Sequence, residues 1–282
     1  MESITGKESL RELLVDWRRS GDHIALVPTM GNLHDGHMSL IALARQHAER
    51  IVVSVFVNPT QFAAGEDFAE YPRTLQRDAR RLKQAKVDVM FAPDVDAIYP
   101  YGLESATTVH VPFLTNELCG ASRPGHFDGV TSVVSRLLCL VQPDVVLFGQ
   151  KDYQQQAIIR RMVTDLCMPI EVVTGPTQRD PDGLALSSRN QYLSDSERAA
   201  APTLYAALKE VGEALETGSE DYTGLEAAAL ATLKAAGFQA DYLSIRRADG
   251  LGPPGRDSDE LVVLAAAWLG KTRLIDNIVV HI

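Results

Sequence analysis

Apolar residues in this chain fall into two textures: short unbroken runs, and longer stretches where they return every three or four positions. Leu10, Leu13, Leu14 and Trp17 return at helical spacing as far as Gly21, and Thr5 followed by Glu8 has the form of a capping box, so a first helix is expected there. HIALVPT is a short, nearly continuous apolar run ending at Pro28; MSLIALARQHA has helical periodicity; IVVSVFV is rich in β-branched residues. Together they predict a β-α-β unit. The alternation continues through a charged helical stretch from about Asp67 to Ala85, the strand VDVMFAP, the helix GVTSVVSRLLCLV, the strand DVVLFG, the helix YQQQAIIRRMVTDL and the strand IEVVT.

Strands apolar on both faces that alternate with helices imply a parallel sheet covered on two sides. In such sheets ligands lie beyond the carboxyl ends of the strands, near the point where strand order reverses. After residue 175 the texture changes to a polar connection, GPTQRDPDGLALSSRN. Ser194 to Glu197 is a second capping-box pattern opening an alanine-rich helix to about Thr217, and a further helix spans about Gly224 to Ala236. ADYLSIR, ELVVLAAAWL and TRLIDNIVVHI read as strands, the first two separated by the turn GLGPPGRDSD. The fold expected is α/β: a Rossmann-like parallel sheet in an N-terminal domain of residues 1–176, and a smaller α+β C-terminal lid domain of residues 177–282.

Composition narrows the partners more than the fold. With 282 residues, 45% of them hydrophobic and 23% charged, the chain has the make-up of an ordinary globular protein. Its formal charge of -10 repels phosphate polymers and anionic membranes, so neither nucleic acid nor a membrane is an expected partner. An anionic substrate would need basic groups placed locally against that field. Cys119, Cys139 and Cys167 are odd in number and widely spaced, matching neither a disulfide framework nor a zinc ribbon. The N-terminus lacks a secretory signal pattern, and no apolar run approaches the ~20 residues of a membrane span. A cytoplasmic location is expected.

Residues that could carry chemistry stand just after the predicted strands. VPTMGNLHDGH is a strand, a glycine-containing turn and a helix expected to start near Gly36 or His37, where backbone N–H groups can bind an anion. It is neither a Walker loop nor G-x-G-x-x-G. Instead His34 and His37 offer two donors able to follow charge developing on a phosphate; a metal half-site or a solvated turn would look the same. Gly36 permits close approach of a ligand to the backbone. In VNPTQF, Asn58 and Gln61 are amides in a proline-fixed turn, suited to a small polar substrate or simply to the turn. FGQKDYQQ places Lys151 after Gly149, with Gln154 and Gln155 in the first helical turn. LALSSRN sets Ser187, Ser188 and Arg189 in the polar connection as a polyphosphate clamp, or as a solubilising linker. SRPGHFDGV offers Arg123 and His126 for a carboxylate, although its turn residues account for themselves almost as well.

Read together, PTMGNLHDGH, FVNPTQF, YPRT, RPGHFDGV, FGQKDYQQ and SSRNQYL resemble the pantothenate synthetase (pantoate–β-alanine ligase) family, within the class I nucleotidyl-transfer enzymes. The resemblance runs from about residue 24 through residue 195 and continues more weakly to TRLIDNI. Six motifs in order are specific where each alone is not. The resemblance implies that ATP is contacted by Met30, Gly31, Asn32, Leu33, His34, Asp35, Gly36 and His37, by Gly149, Gln150, Lys151 and Asp152, and by Leu186, Ser187, Ser188 and Arg189. It implies His37 as proton donor beside His34, Gln61 and Gln155 as pantoate ligands, Asn58 shaping that pocket, Gln61 also meeting β-alanine, and Asp78 helping to hold Mg²⁺. It further implies a homodimer. Two departures are Leu186, where the family more often has methionine, and Gln178, where an apolar residue near the adenine is usual; both bear on nucleotide affinity more than on reaction type.

The chemistry so implied is a condensation of pantoate with β-alanine through a pantoyl adenylate, releasing pyrophosphate and then AMP. Two rivals are a nucleotidyltransferase that stops at a nucleotidylated product and a nucleotide sensor without turnover. The amides of Asn58, Gln61 and Gln155 favour a small hydroxy acid over the first rival, and the paired histidines with Ser187, Ser188 and Arg189 would be unexplained by the second.

Overall fold

The computed structural model describes residues 1–63, 65–255 and 258–282. By internal contacts the chain forms two compact units, Met1–Gly149 with Ile158–Gly175, and Gln150–Ala157 with Pro176–Ile282. The expected boundary at residue 176 thus leaves out one segment: Gln150–Ala157 packs with the second unit.

In chain order the first unit carries β1 (Glu2–Ile4), α1 (Lys7–Arg19), β2 (Ile24–Thr29), α2 (Asp35–Ala44), β3 (Arg50–Val55), α3 (Leu75–Gln84), β4 (Val89–Phe91), the short α4 (Val95–Ile98) and α5 (Cys119–Ser122), α6 (His126–Val141), β5 (Val145–Gly149), α7 (Tyr153–Asp165, whose first turns belong to the second unit) and β6 (Glu171–Gly175). The strands form one sheet in the order β1-β4-β3-β2-β5-β6, all pairings parallel. Val27, Ile51, Val53 and Leu147 pack with Leu40 and Ile41 of α2 and Leu82 of α3 in one apolar cluster. Ile24, Leu26 and Val52, whose side chains alternate with those, are equally buried, so both faces are covered.

Strand order reverses between β2 and β5, which places the switch point there. The register pairs Ala25 with Val145 and Leu26 with Val146 and goes no further, although β2 runs on to Thr29 and β5 to Gly149. The cause is legible in the backbone. The carbonyl of Ile24 accepts from Asp144, so alternate residues from Ile24 onward face β5, and Pro28 stands where the next donor would be needed. Proline has no N–H to give. The two strands therefore part at their carboxyl ends.

Three expectations need correction. Thr5 does not cap α1: the chain up to Ile4 is a strand paired with β4, too short to show a pattern, and Gly6 in extended conformation precedes the helix without a side-chain cap. The helix expected over 67–85 is confined to α3; Pro72 keeps the preceding backbone out of the helical region. There Phe62 packs edge-on against Phe68 and Tyr71, with ring centroids 5.3 and 5.8 Å apart. The alanine-rich helix after Ser194 is two helices, α8 (Asp195–Ala200), which does carry the Ser194–Glu197 capping box, and α9 (Thr203–Glu216), interrupted where Pro202 removes a donor.

In the second unit α9 and α10 (Tyr222–Ala235) accompany an antiparallel sheet of β7 (Gln239–Arg247), β8 (Glu260–Leu269) and β9 (Thr272–His281), in that order. Leu204, Leu208 and Val211 of α9 and Leu233 of α10 share one core with Leu261, Val263 and Ala265 of β8. Arg256 and Asp257, which belong to the expected turn GLGPPGRDSD, lie outside the described residues.

Candidate active site

The loop after β2 is built from beneath by α3. Gly31 has φ +79°, a conformation that favours glycine, and a Cβ there would also crowd Val55 at 3.1 Å and Asp78 at 3.2 Å. The buried carboxylate of Asp78 accepts from the backbone N–H of Asn32 and of Leu33, each at 2.9 Å, while the Thr74 hydroxyl donates to both its oxygens at 3.1 Å. Arg77 donates to the Asn32 side chain, and Arg81 reaches the Leu33 carbonyl and pairs with Asp35. Leu33 is buried beneath, a contribution of about 2 kcal/mol. Nothing in the pattern of the charged run RDARR marks Asp78 as buried; sequence reasoning missed Arg77 and Arg81 altogether.

That loop delivers His34 to the N-cap of α2, which begins at Asp35, slightly earlier than expected. The N–H groups of Asp35 and Gly36 head the helix and have no acceptor within it. The His34 amide donates to Nδ1 of His37 at 3.2 Å, and the two rings stand 4.1 Å apart at 46°. With Nδ1 accepting, neutral His37 carries its proton on Nε2. The helix start, the macrodipole and a fixed N–H donor thus share one position beside the parting of β2 and β5.

Beyond β3, Asn58 is 1% exposed and engaged on every side. Its oxygen accepts from Tyr99 at 2.7 Å and Thr60 at 3.0 Å, and its nitrogen donates to Gln61 at 3.1 Å and the Gly129 carbonyl at 3.2 Å. Asn58 therefore orients Gln61. Burial pushes the Tyr99 phenol above its ordinary value against the lowering influence of Thr60 and Arg136. Gln61 donates onward to the Met30 sulfur at 3.2 Å, joining the loops after β2 and β3. Gly129 lets α6 lie against this turn, since a Cβ would fall 2.2 Å from the Thr60 carbonyl oxygen.

Arg123 and His126 have a different role from the carboxylate grip considered above. Arg123 holds Glu66 through two bonds of 2.6 Å and lies 3.0 Å from His126 Nε2, while His126 Nδ1 donates to the Gln61 carbonyl at 2.8 Å. They brace the backbone of Gln61. Burial alone would raise the Glu66 carboxyl, but the bond and charge of Arg123 outweigh it and hold the group below its ordinary value.

The remaining expected residues lie in the second unit, apart from Gly149 at the end of β5. Gln150, Lys151 and Asp152 form a 3-10 turn, and Gln154 and Gln155 follow at the start of α7. Ser187 caps a 3-10 turn that carries Ser188 and Arg189, accepting from the Arg189 amide at 3.3 Å. Leu186 donates its N–H to the Gln178 carbonyl at 2.9 Å, closing a hairpin, and the Gln178 side chain is exposed. Lys151, Ser187, Asn190 and Asp276 line one small pocket of this unit. In the first unit His34 is paired with His37 and Asn58 with Gln61, their loops joined through the Gln61–Met30 contact, and in the second Lys151 and Ser187 line one pocket.

The magnesium expectation at Asp78 does not fit. Four donor contacts already occupy its two oxygens, it is fully buried, and among the described residues no cluster of three or more His, Cys, Asp or Glu side chains could hold a metal. Among the described residues no helix is long and apolar enough to cross a membrane.

Comparison with known proteins yields one family. A model of pantoate-beta-alanine ligase matches residues 2–279. The pantothenate synthetase of Pseudomonas entomophila is 52% identical over 282 residues, covering 100% of this chain and 98% of that protein. That of Thioalkalivibrio sulfidiphilus is 51% identical over 282 residues, covering 100% and 99%. Among solved structures, pantothenate synthetase from Thermus thermophilus superimposes with a TM-score of 0.92 at 45% identity, covering 99% of both chains. Pantoate-beta-alanine ligase from Francisella tularensis, complexed with beta-gamma ATP and beta-alanine, has a TM-score of 0.81 at 33% identity, covering 99% of this chain and 97% of that one.

Proposed function

This chain belongs to the pantoate–β-alanine ligase family, and from that premise we propose how its own residues carry out the ATP-dependent joining of pantoate to β-alanine. A carboxylate resists an amine because its leaving group would be an oxide. The pantoate carboxylate therefore attacks the α-phosphorus of ATP, the bond to the bridging oxygen breaks, and pyrophosphate leaves. The β-alanine amine then attacks the acyl carbon of the pantoyl adenylate, AMP leaves, and the amine loses a proton.

Negative charge grows on the α-phosphate oxygens in the first step. His37 Nε2–H, the opening amides of α2 and His34 act there, with Lys151, Ser187, Ser188 and Arg189 on the departing pyrophosphate. Gln61, set by Asn58, and Gln155 bind pantoate, and Gln61 also meets β-alanine. Met30 to Leu33, Gly149, Gln150, Asp152, Leu186 and Gln178 line the nucleotide. The Asp78 carboxylate, its oxygens already taken by the Asn32 and Leu33 amides and the Thr74 hydroxyl, supports the loop and carries no magnesium role in this reading. The second unit serves as a lid, and the enzyme works as a cytoplasmic homodimer.

The observation that carries the reading is the His34 amide bonded to His37 Nδ1, which fixes a proton donor at a helix start beside the strand switch point. Replacing His37 or Lys151 with Ala should lower kcat about 10²–10³-fold with the fold intact by circular dichroism. Release of AMP and pyrophosphate is followed with and without pantoate; full turnover in both variants would remove the assigned roles. Sedimentation giving a single species of 30.8 kDa would remove the homodimer.

A further inference from the structure

Asp276 and Asn277 stand next to each other on β9, in TRLIDNI, and neither was assigned chemistry by the sequence. Asn277 is 2% exposed, and its Nδ2 donates to two successive carbonyls, those of Gln150 and Lys151, each at 2.9 Å. Asp276 is 3% exposed and takes both arms of Arg179, at 2.5 and 2.9 Å, while the guanidinium stacks 3.7 Å above the Tyr205 ring. Arg179 also donates to the Gly183 carbonyl at 3.1 Å, and the backbone N–H of Asn277 donates to the Asp276 carboxylate at 2.8 Å. Arg179 opens the hairpin, bridged to Ala185, that leads directly to Ser187.

We propose that the Asp276–Asn277 pair is a positioning device for nucleotide binding, Asn277 aiming Lys151 and Asp276 anchoring through Arg179 the hairpin that carries Ser187, Ser188 and Arg189. The inference rests on the phosphate-gripping role given to those residues above. Bonding two consecutive carbonyls fixes the peptide planes on both sides of the Lys151 Cα–Cβ bond, and so the cone from which a long, flexible side chain starts. The uncharged amide has two N–H bonds, one for each carbonyl. A carboxylate of the same shape would set charge against two carbonyl dipoles. Strand geometry adds the other half: adjacent residues on β9 project to opposite faces, so one dipeptide holds two segments at once. Lys151, Ser187 and Asp276 line the same pocket, where those segments meet.

The test is Asn277→Asp in the full-length protein, with ATP binding measured by calorimetry and pantoate KM by AMP release. We expect at least a tenfold weaker Kd for ATP, with pantoate KM within twofold. In a Lys151→Ala background the same change should weaken ATP binding by less than threefold, because the group being aimed is gone. Asn277→Ala, which adds no charge, keeps the test open should the aspartate variant fold poorly, and should show the same dependence on Lys151. Equal losses in both backgrounds, or unchanged ATP binding, would overturn the proposal. Absence of pantoate-dependent AMP release in the unaltered enzyme would instead overturn the assigned reaction, while the calorimetric coupling between Asn277 and Lys151, which needs no turnover, would stand or fall separately.

Discussion

The loop from Met30 to His34 and the hairpin leading to Ser187 both carry extended chain to a helical start, yet they are held by different means. Beneath the first lies a single buried carboxylate, Asp78, receiving two backbone amides and a hydroxyl. The second combines the buried Arg179–Asp276 pair with ion pairs from Arg198 to Asp180 and Asp182, whose side chains are 33–43% exposed. A buried acceptor cannot be lost without stranding its donors, whereas water replaces an exposed partner cheaply. The first arrangement fixes one geometry; the second leaves part of its support open to solvent and salt.

The largest effect should come from Asp78→Ala, which strands the amides of Asn32 and Leu33 and costs about 3 kcal/mol in urea unfolding, with loss of turnover. Excess magnesium should not restore that activity; restoration would return Asp78 to a metal role and break the comparison. Gly129→Ala comes next, at about 2 kcal/mol, because its methyl meets the Thr60 backbone. It should raise the pantoate KM while leaving that for ATP, which steady-state kinetics in the two substrates separates.

Glu66→Gln should cost about 1 kcal/mol at neutral pH, in an effect that fades in acid. The folded carboxyl titrates below its ordinary 4.5, so its contribution is complete above that value and disappears as pH falls through the depressed one. Stability curves of variant and parent should converge there; a constant gap would mean that shape rather than charge matters. Smallest is Arg198→Ala, below about 1 kcal/mol and vanishing in high salt. A large, salt-independent loss would erase the contrast between the two segments.

Much of this was legible in the sequence. Apart from the stretch over 67–85, helical only from Leu75, and the alanine-rich helix that Pro202 divides, helices and strands long enough to show a period were placed within a few residues, and Ser194 and Glu197 form the cap their spacing announced. The parallel sheet and the location of His34, His37, Asn58 and Gln61 after their strands followed from the same alternation. What stayed hidden depends on contacts distant in sequence. Asp78 sits in a charged run and looks like a surface residue until 45 residues of separation are closed by its bond to Leu33. Arg123 has the chemistry to hold a substrate carboxylate, and only the fold reveals that Glu66 already fills that role. Asn277 has the composition of any strand polar residue; its two carbonyl partners lie 126 and 127 positions away.

Pro28 turns an apparent flaw in a central strand into the point where two neighbouring strands stop pairing. A residue with an amide hydrogen at that position, such as valine, would supply the missing rung and let the sheet zip one step nearer its rim, drawing Thr29 toward the far strand. The end of pairing between these two strands is thus written in the main chain, by a ring that closes on its own nitrogen, and not in any side chain that faces a ligand.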